Sequence, residues 1–210
     1  VLAALAERAL AEASAAVTAT GVEVATMVVD VTEPEAPQRL VDLAVERFGA
    51  LDIVVANAGG PPAGRALDVD DTALTAALNA NLLTSVRLVR AAVPVMARRR
   101  WGRICCITSY SVVQPIPTLA LSNTARVGLW AWAKTAAQDL AAEGSGITLN
   151  LACPGPHATE RMRRLGGDGG AGPLGDPADF GKVVTFLCSD PARFVNGAAL
   201  VVDGGSTLAL

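Results

Sequence analysis

Several short runs in the chain combine small or turn-forming residues with a polar side chain, as a ligand site requires. Asn57-Ala58-Gly59-Gly60 is mostly small, so backbone there can approach a flat ligand, and Asn57 can tie neighbouring strands through side-chain hydrogen bonds. Asp30, ahead of Val31, can accept from an adenine amino group or cap the next helix, a role for which Thr32 competes. Two chemistries are excluded at once. A serine hydrolase needs a GxSxG elbow, which is absent, and His157, the sole histidine, has no obvious Ser-Asp pairing. A metal site needs clustered ligands, and the sequence has none.

The elements that must position these groups follow from apolar spacing. Leu2, Leu5, Ala9, Leu10 and Ala13 predict a helix over 1–17, ended by Gly21, and 22–29 reads as a buried strand. A helix over 34–48 puts Leu40, Leu43, Ala44 and Phe48 on one face, Gly49 caps it, and a strand at 53–56 precedes the Asn57 turn. Then come a long helix over 71–100 interrupted around Pro94, a strand at 103–108, a helix at 121–143 and a strand at 147–153. A Gly-rich stretch, 166–175, leads to a helix at 177–188 and a last strand at 198–202. Short apolar strands alternating with helices predict one α/β domain over 1–210, a doubly wound parallel sheet in three layers, α/β/α. Ligands of such sheets bind beyond the carboxyl ends of the strands. Asp30-Val31, Asn57-Ala58-Gly59, Thr108-Ser109 and Pro154-Gly155 all fall there.

With Asn81 in the intervening helix and Val202-Asp203-Gly204-Gly205 near the end, these runs occur in one order with consistent spacing. The chain thereby resembles the short-chain dehydrogenase/reductase family, and within it the 3-oxoacyl-carrier-protein reductase-like members, over essentially its whole length. The resemblance implies a Rossmann-type sheet, NADP or NAD lying across the strand ends, and hydride transfer between a ketone and a secondary alcohol, small or acyl-chain. Carried over by position, it puts Asp30 and Val31 beside adenine and Asn57, Ala58 and Gly59 on the adenosine ribose side. Pro154 and Gly155 would pass the nicotinamide, and Thr159 would follow near the carboxamide or phosphates. His157 stands where the family has Ile or Val, and reads as a packing or cofactor contact or as a proton relay. Asn81, Ser109, Ser122 and Arg126 fall at the family's catalytic positions, Arg126 also at the ribose. Gly64, Leu67 and residues 162–174 would wall the substrate pocket.

Two departures qualify that expectation. The family binds pyrophosphate with TGxxxGxG between its first strand and first helix, and this sequence opens at Val1 on a helical pattern, with no earlier strand expected. Gly166, Gly170 and Gly172 reproduce the spacing without the context, because no strand precedes them and Pro173 follows. Two strands are therefore expected to be missing between those carrying Val28-Val29 and Ile53-Val54, with at least one further βα unit ahead of Val1, and the domain reads as N-terminally incomplete. The second departure is chemical: the family has Tyr thirteen positions after Ser and Lys four beyond it, but counting from Ser109 gives Ser122 and Arg126. Lys134-Thr135-Ala136-Ala137-Gln138-Asp139-Leu140 matches the family's downstream helix and fixes that register. A serine hydroxyl is a far weaker acid than a phenol, and arginine stays charged at any useful pH. Tyr110 or His157 could replace the acid, Ser122 and Arg126 could merely hold ligand, or the chain could be a degenerate member that binds a dinucleotide or a protein without turnover.

Composition sets the remaining expectations. Of 210 residues 51% are hydrophobic and 18% charged, enough for one apolar core without staples. With 17 basic against 20 acidic residues the net charge is -3, so nucleic acid is not expected, and the cluster Arg98, Arg99, Arg100 and Arg103 reads as a helix end. Cys105, Cys106, Cys153 and Cys188 form no CxxC pair and lie in apolar runs, which fits a reducing cytoplasm. No uninterrupted apolar run of about 18 residues suggests a membrane span. Leu82, Leu83, Val86, Leu129, Trp130 and Trp132 exceed what one sheet face needs, and in the family these two helices pair across a two-fold axis, so a homodimer or homotetramer is expected.

Overall fold

A computed structural model describes residues 1–160, 162 and 174–208. The chain opens with strand β1 (Leu2–Ala4), helix α1 (Glu7–Thr18), β2 (Thr26–Val28), α2 (Ala36–Phe48) and β3 (Ile53–Ala56). Next come α3 (Asp71–Leu78), a π-helical segment (Asn79–Leu83) and α4 (Thr84–Arg99), without a break in the helical run. Strand β4 (Gly102–Ile107), a 3-10 turn (Tyr110–Val112), α5 (Ala120–Ala142) and β5 (Ile147–Pro154) form the centre. Helix α6 (Pro177–Leu187) and β6 (Ala199–Val202) complete the described part.

All strand pairs are parallel, in two sheets: β1 with β2, and β3-β4-β5-β6. Side chains alternate across a strand. Val54, Ala56, Ile104 and Cys106 accordingly join Val89, Ala92, Met96, Leu129 and Ala133 of α4 and α5 in the main core. Cys105 points the other way, to Leu187 and Cys188 at the end of α6. Helices thus cover both faces of the four-stranded sheet, the layered parallel α/β architecture expected. On β3, however, Ile53 and Val55 alternate outward and are 46% and 47% exposed.

The sequence reading needs three corrections. The first helix does not begin at residue 1, because Leu2, Ala3 and Ala4 pair in register with Thr26, Met27 and Val28. One of the two strands expected to be missing beside β2 is therefore supplied by Leu2–Ala4, although alanine and leucine favour helix; long-range pairing overrides that local propensity. The long helix is not interrupted at Pro94, which sits inside α4; the irregularity is the π segment fifteen residues earlier. Arg103 does not share a surface cluster with Arg98–Arg100. It is buried on β4, where it donates to the carbonyls of Gly102, Gly146 and Ser189 and stacks on Trp101.

Between the two sheets lies a cavity of about 520 Å³, walled by Val1, Leu2 and Ala3 on one side and Ile53 to Ala58 on the other. The Gly49 cap holds φ 72°, a left-handed conformation suited to glycine, and turns the chain from α2 into β3.

Candidate active site

Strand β4 ends at Ile107, and Thr108 still donates its amide to Ala152 of β5, so Ser109 leaves the sheet at its carboxyl edge. The extended backbone at Ser109 lets its Oγ accept from the Ser111 amide at 3.1 Å, capping the 3-10 turn while its own hydrogen stays available to a ligand. Arg126 reaches this edge from α5. Its Nη1 donates to the carbonyls of Ile107 (3.1 Å) and Thr108 (2.9 Å), and its Nε donates to Ser122 Oγ at 3.1 Å. Ser122 and Arg126 are both buried, one helical turn apart, as i and i+4 positions require. A fixed positive charge therefore sits beside a buried hydroxyl at the mouth of the sheet.

Thr108 Oγ1 also meets Cys153 Sγ at 3.0 Å, below the same edge. Burial pushes the Cys153 thiol up, against the opposing pull of Thr108 and of the Arg126 charge. Asn81 lies in the π segment, which packs against α5. Its Nδ2 donates to Ala77 O, and its Oδ1 is buried with no partner. An amide oxygen so placed calls for a donor from outside the protein.

Of the residues expected at the adenine end, three share a cavity. Val31, Asn57 and Ala58 line one cavity, although it continues into the apolar space between the sheets. Asp30 accepts from the Thr32 hydroxyl at 2.7 Å and its amide at 2.9 Å, which holds the carboxyl below its usual range. A Cβ placed on Gly59 would meet nothing within 4 Å, so its backbone is open to a ligand.

A family model described as enoyl-(acyl carrier protein) reductase matches residues 1–207. The chain belongs to the short-chain dehydrogenase/reductase family. A dehydrogenase/reductase SDR family member 4 of Bos taurus is 32% identical over 197 residues, 89% of this chain and 70% of that protein. The 3-oxoacyl-[acyl-carrier-protein] reductase MabA of Mycobacterium avium is 32% identical over 84% of this chain and 71% of its own. A solved structure described as a short-chain alcohol dehydrogenase of Sinorhizobium meliloti 1021 superposes with a TM-score of 0.87 at 28% identity, covering 99% of this chain and 86% of that one.

As a member of this family the chain is an oxidoreductase enzyme for alcohol- or ketone-type substrates. Family members use NAD(P)H, and the open backbone at Gly59, shortly after β3, fits the approach of such a ligand. Gly155 follows β5, and a Cβ there would collide with Asp203, so glycine is required for the close approach of this turn to the end of β6. His157 is held by its own surroundings: its Nδ1 meets Gly155 O at 3.0 Å and its ring packs edge-on against Phe180 at 5.4 Å. Thr159 accepts from the Met162 amide at the start of the next segment. Gly166, Gly170 and Gly172 lie outside the described residues.

One set of residues at this site escaped the sequence reading. Asn79 and Arg87 both reach Thr32 O, across 47 and 55 residues of chain, and no local pattern signals such contacts.

Proposed function

We propose that this chain interconverts a ketone and a secondary alcohol, with a 3-oxoacyl compound as substrate, at a centre of Asn81, Ser109, Ser122 and Arg126. The observation that carries this is the Arg126 bridge from Ser122 to the carbonyls of Ile107 and Thr108, next to Ser109. Ser109 Oγ, fixed by the Ser111 amide, donates to the substrate oxygen. Ser122 Oγ passes its proton to the same oxygen and regains one from the relay water, while the guanidinium 3.1 Å from Ser122 Oγ stabilises the negative charge that develops on that hydroxyl. Asn81 Oδ1 holds the donor of a relay water. A nicotinamide dinucleotide supplies the hydride.

Asp30, Val31, Asn57, Ala58 and Gly59 hold the adenosine half, and Pro154, Gly155, His157 and Thr159 border the nicotinamide half. The substrate enters over a groove of about 580 Å³ lined by Gly64, Val69, Thr118 and Leu121, the last adjacent to Ser122. The names of two relatives, MabA and the FabG of Salmonella typhimurium, supply the 3-oxoacyl class. Strand β1 ends at Ala4, followed by Leu5 and Ala6, so no carboxylate stands there to select the ribose 2′-hydroxyl over its phosphate. Both NADPH and NADH are therefore accepted. The free, buried cysteines suit a reducing cytoplasm.

Fluorescence titration with NADPH and NADH, followed by turnover assays of Ser109→Ala, tests the reading. Micromolar binding with turnover lost in Ser109→Ala is expected. Unchanged turnover in that variant sinks the assignment of the centre.

A further inference from the structure

The irregular helical segment that carries Asn81 is tied to the loop after β2 by a closed set of hydrogen bonds. Asn79, its first residue, donates from Nδ2 to Thr32 O at 3.3 Å and accepts at Oδ1 from Arg87 Nη1 at 2.8 Å. Arg87 Nη1 also reaches Thr32 O at 3.3 Å, which closes a triangle of carbonyl, amide and guanidinium. On the backbone side, Asn79 O accepts both the amide and the hydroxyl of Thr84, the wide bond that defines the π turn. Thr32 is in turn fixed to Asp30 through its amide and hydroxyl. One continuous chain of polar contacts therefore runs from Asp30 to the turn that presents the unpartnered Oδ1 of Asn81.

A π turn is poorer in hydrogen-bond geometry than the helix around it and persists where outside contacts hold it. Without the Asn79 and Arg87 contacts, the segment gains by relaxing towards α-helical register, which rotates Asn81 about the helix axis. We infer that Asn79 and Arg87 are positioning residues: they lock the π turn in the register that sets the orientation of Asn81, and they couple it to the loop of Asp30, Val31 and Thr32. The inference rests on the functional reading above for the role of Asn81, but the clasp itself is a property of the apoprotein. A dinucleotide that orders the 30–32 loop thereby orders Asn81 as well.

The test is native-state hydrogen exchange of the full chain carrying Arg87→Met, with kinetics of the same change in wild-type and Asn81→Ala backgrounds. Arg87→Met keeps the apolar stem and removes every donor; Arg87→Lys, which restores one donor and the charge, is the conservative control. In Arg87→Met, amides of residues 30–32 and 79–84 are expected to exchange about tenfold faster together, with β4 and β5 unchanged and partial recovery in Arg87→Lys. Turnover falls by about tenfold in the wild-type background and by less than about twofold once Asn81 is already alanine. Faster exchange confined to α4, or losses that multiply in the double variant, overturns the clasp. If Arg87→Met does not fold, Asn79→Ser makes the same exchange comparison from the other side of the triangle. A wild-type chain without turnover overturns the functional reading alone, because the exchange arm still decides the clasp.

Discussion

At the residue scale the centre is defined by Arg126, whose role differs from that of a mobile lysine. Its guanidinium is committed to two main-chain carbonyls, so Arg126→Ala strands buried acceptors at the end of β4. A loss of about 1–3 kcal/mol is expected, read as a fall in the urea midpoint with unchanged slope. Gly155→Ala forces a methyl group into the Asp203 backbone, so the melting temperature should fall, checked by a thermal denaturation curve beside that of the unaltered chain. The Cys106 thiol should be inert: burial alone pushes it up to about 12, so iodoacetamide at pH 8 should leave it unlabelled until the chain unfolds. The candidate positions of Ser109, Ser122 and Arg126 were legible only through the family's spacing, counted from Ser109. Their hydrogen bonds were not, since nothing local says that Arg126 turns to Ile107 and Thr108. His157 shows the same limit, for only the fold brings Phe180 and Gly175 against its ring.

At the element scale, the strands from Ile53 onward were readable because each is a short apolar run between turn signals, and β3 falls at the positions expected. Leu2–Ala4 was misread because its residues also fit a helical period, and only pairing with Thr26–Val28 decides the matter. That pairing is short, three residues a side, and among the described residues β1 pairs with β2 alone. Hydrogen exchange should therefore show β1 and β2 opening well before β4 and β5, which are flanked on both sides and almost wholly buried. Equal protection of the two sheets would count against this separation. Pro94 illustrates the converse error: proline signals a break, yet α4 carries it on an exposed position while the true irregularity at Asn79–Leu83 contains no proline or glycine.

At the scale of the whole molecule, the parallel α/β layering was visible in the sequence, because alternating short strands and helices leave few other arrangements. A cavity lies between the two sheets, with the residues of β1 among its walls. Self-association is harder to read. Leu129 is in the core, and Leu82, Val86, Trp130 and Trp132 pack against it, leaving Leu83 and Val127, 39% and 41% exposed, as the apolar surface of the π segment and α5. We propose that these two residues seat a second copy of the chain, so light scattering should give a dimer or tetramer and Leu83→Asp with Val127→Asp a smaller species. The central claim is that Ser122 and Arg126 sustain hydride transfer in place of a phenol and a lysine. Its most direct test is steady-state consumption of NADPH and NADH against a panel of ketones including 3-oxoacyl compounds, for the native chain and for Ser122→Tyr with Arg126→Lys. Slow turnover by the native chain, raised by about 10²- to 10⁴-fold in the double variant, is the expected result. Dinucleotide binding with no consumption of any ketone by the native chain would contradict it.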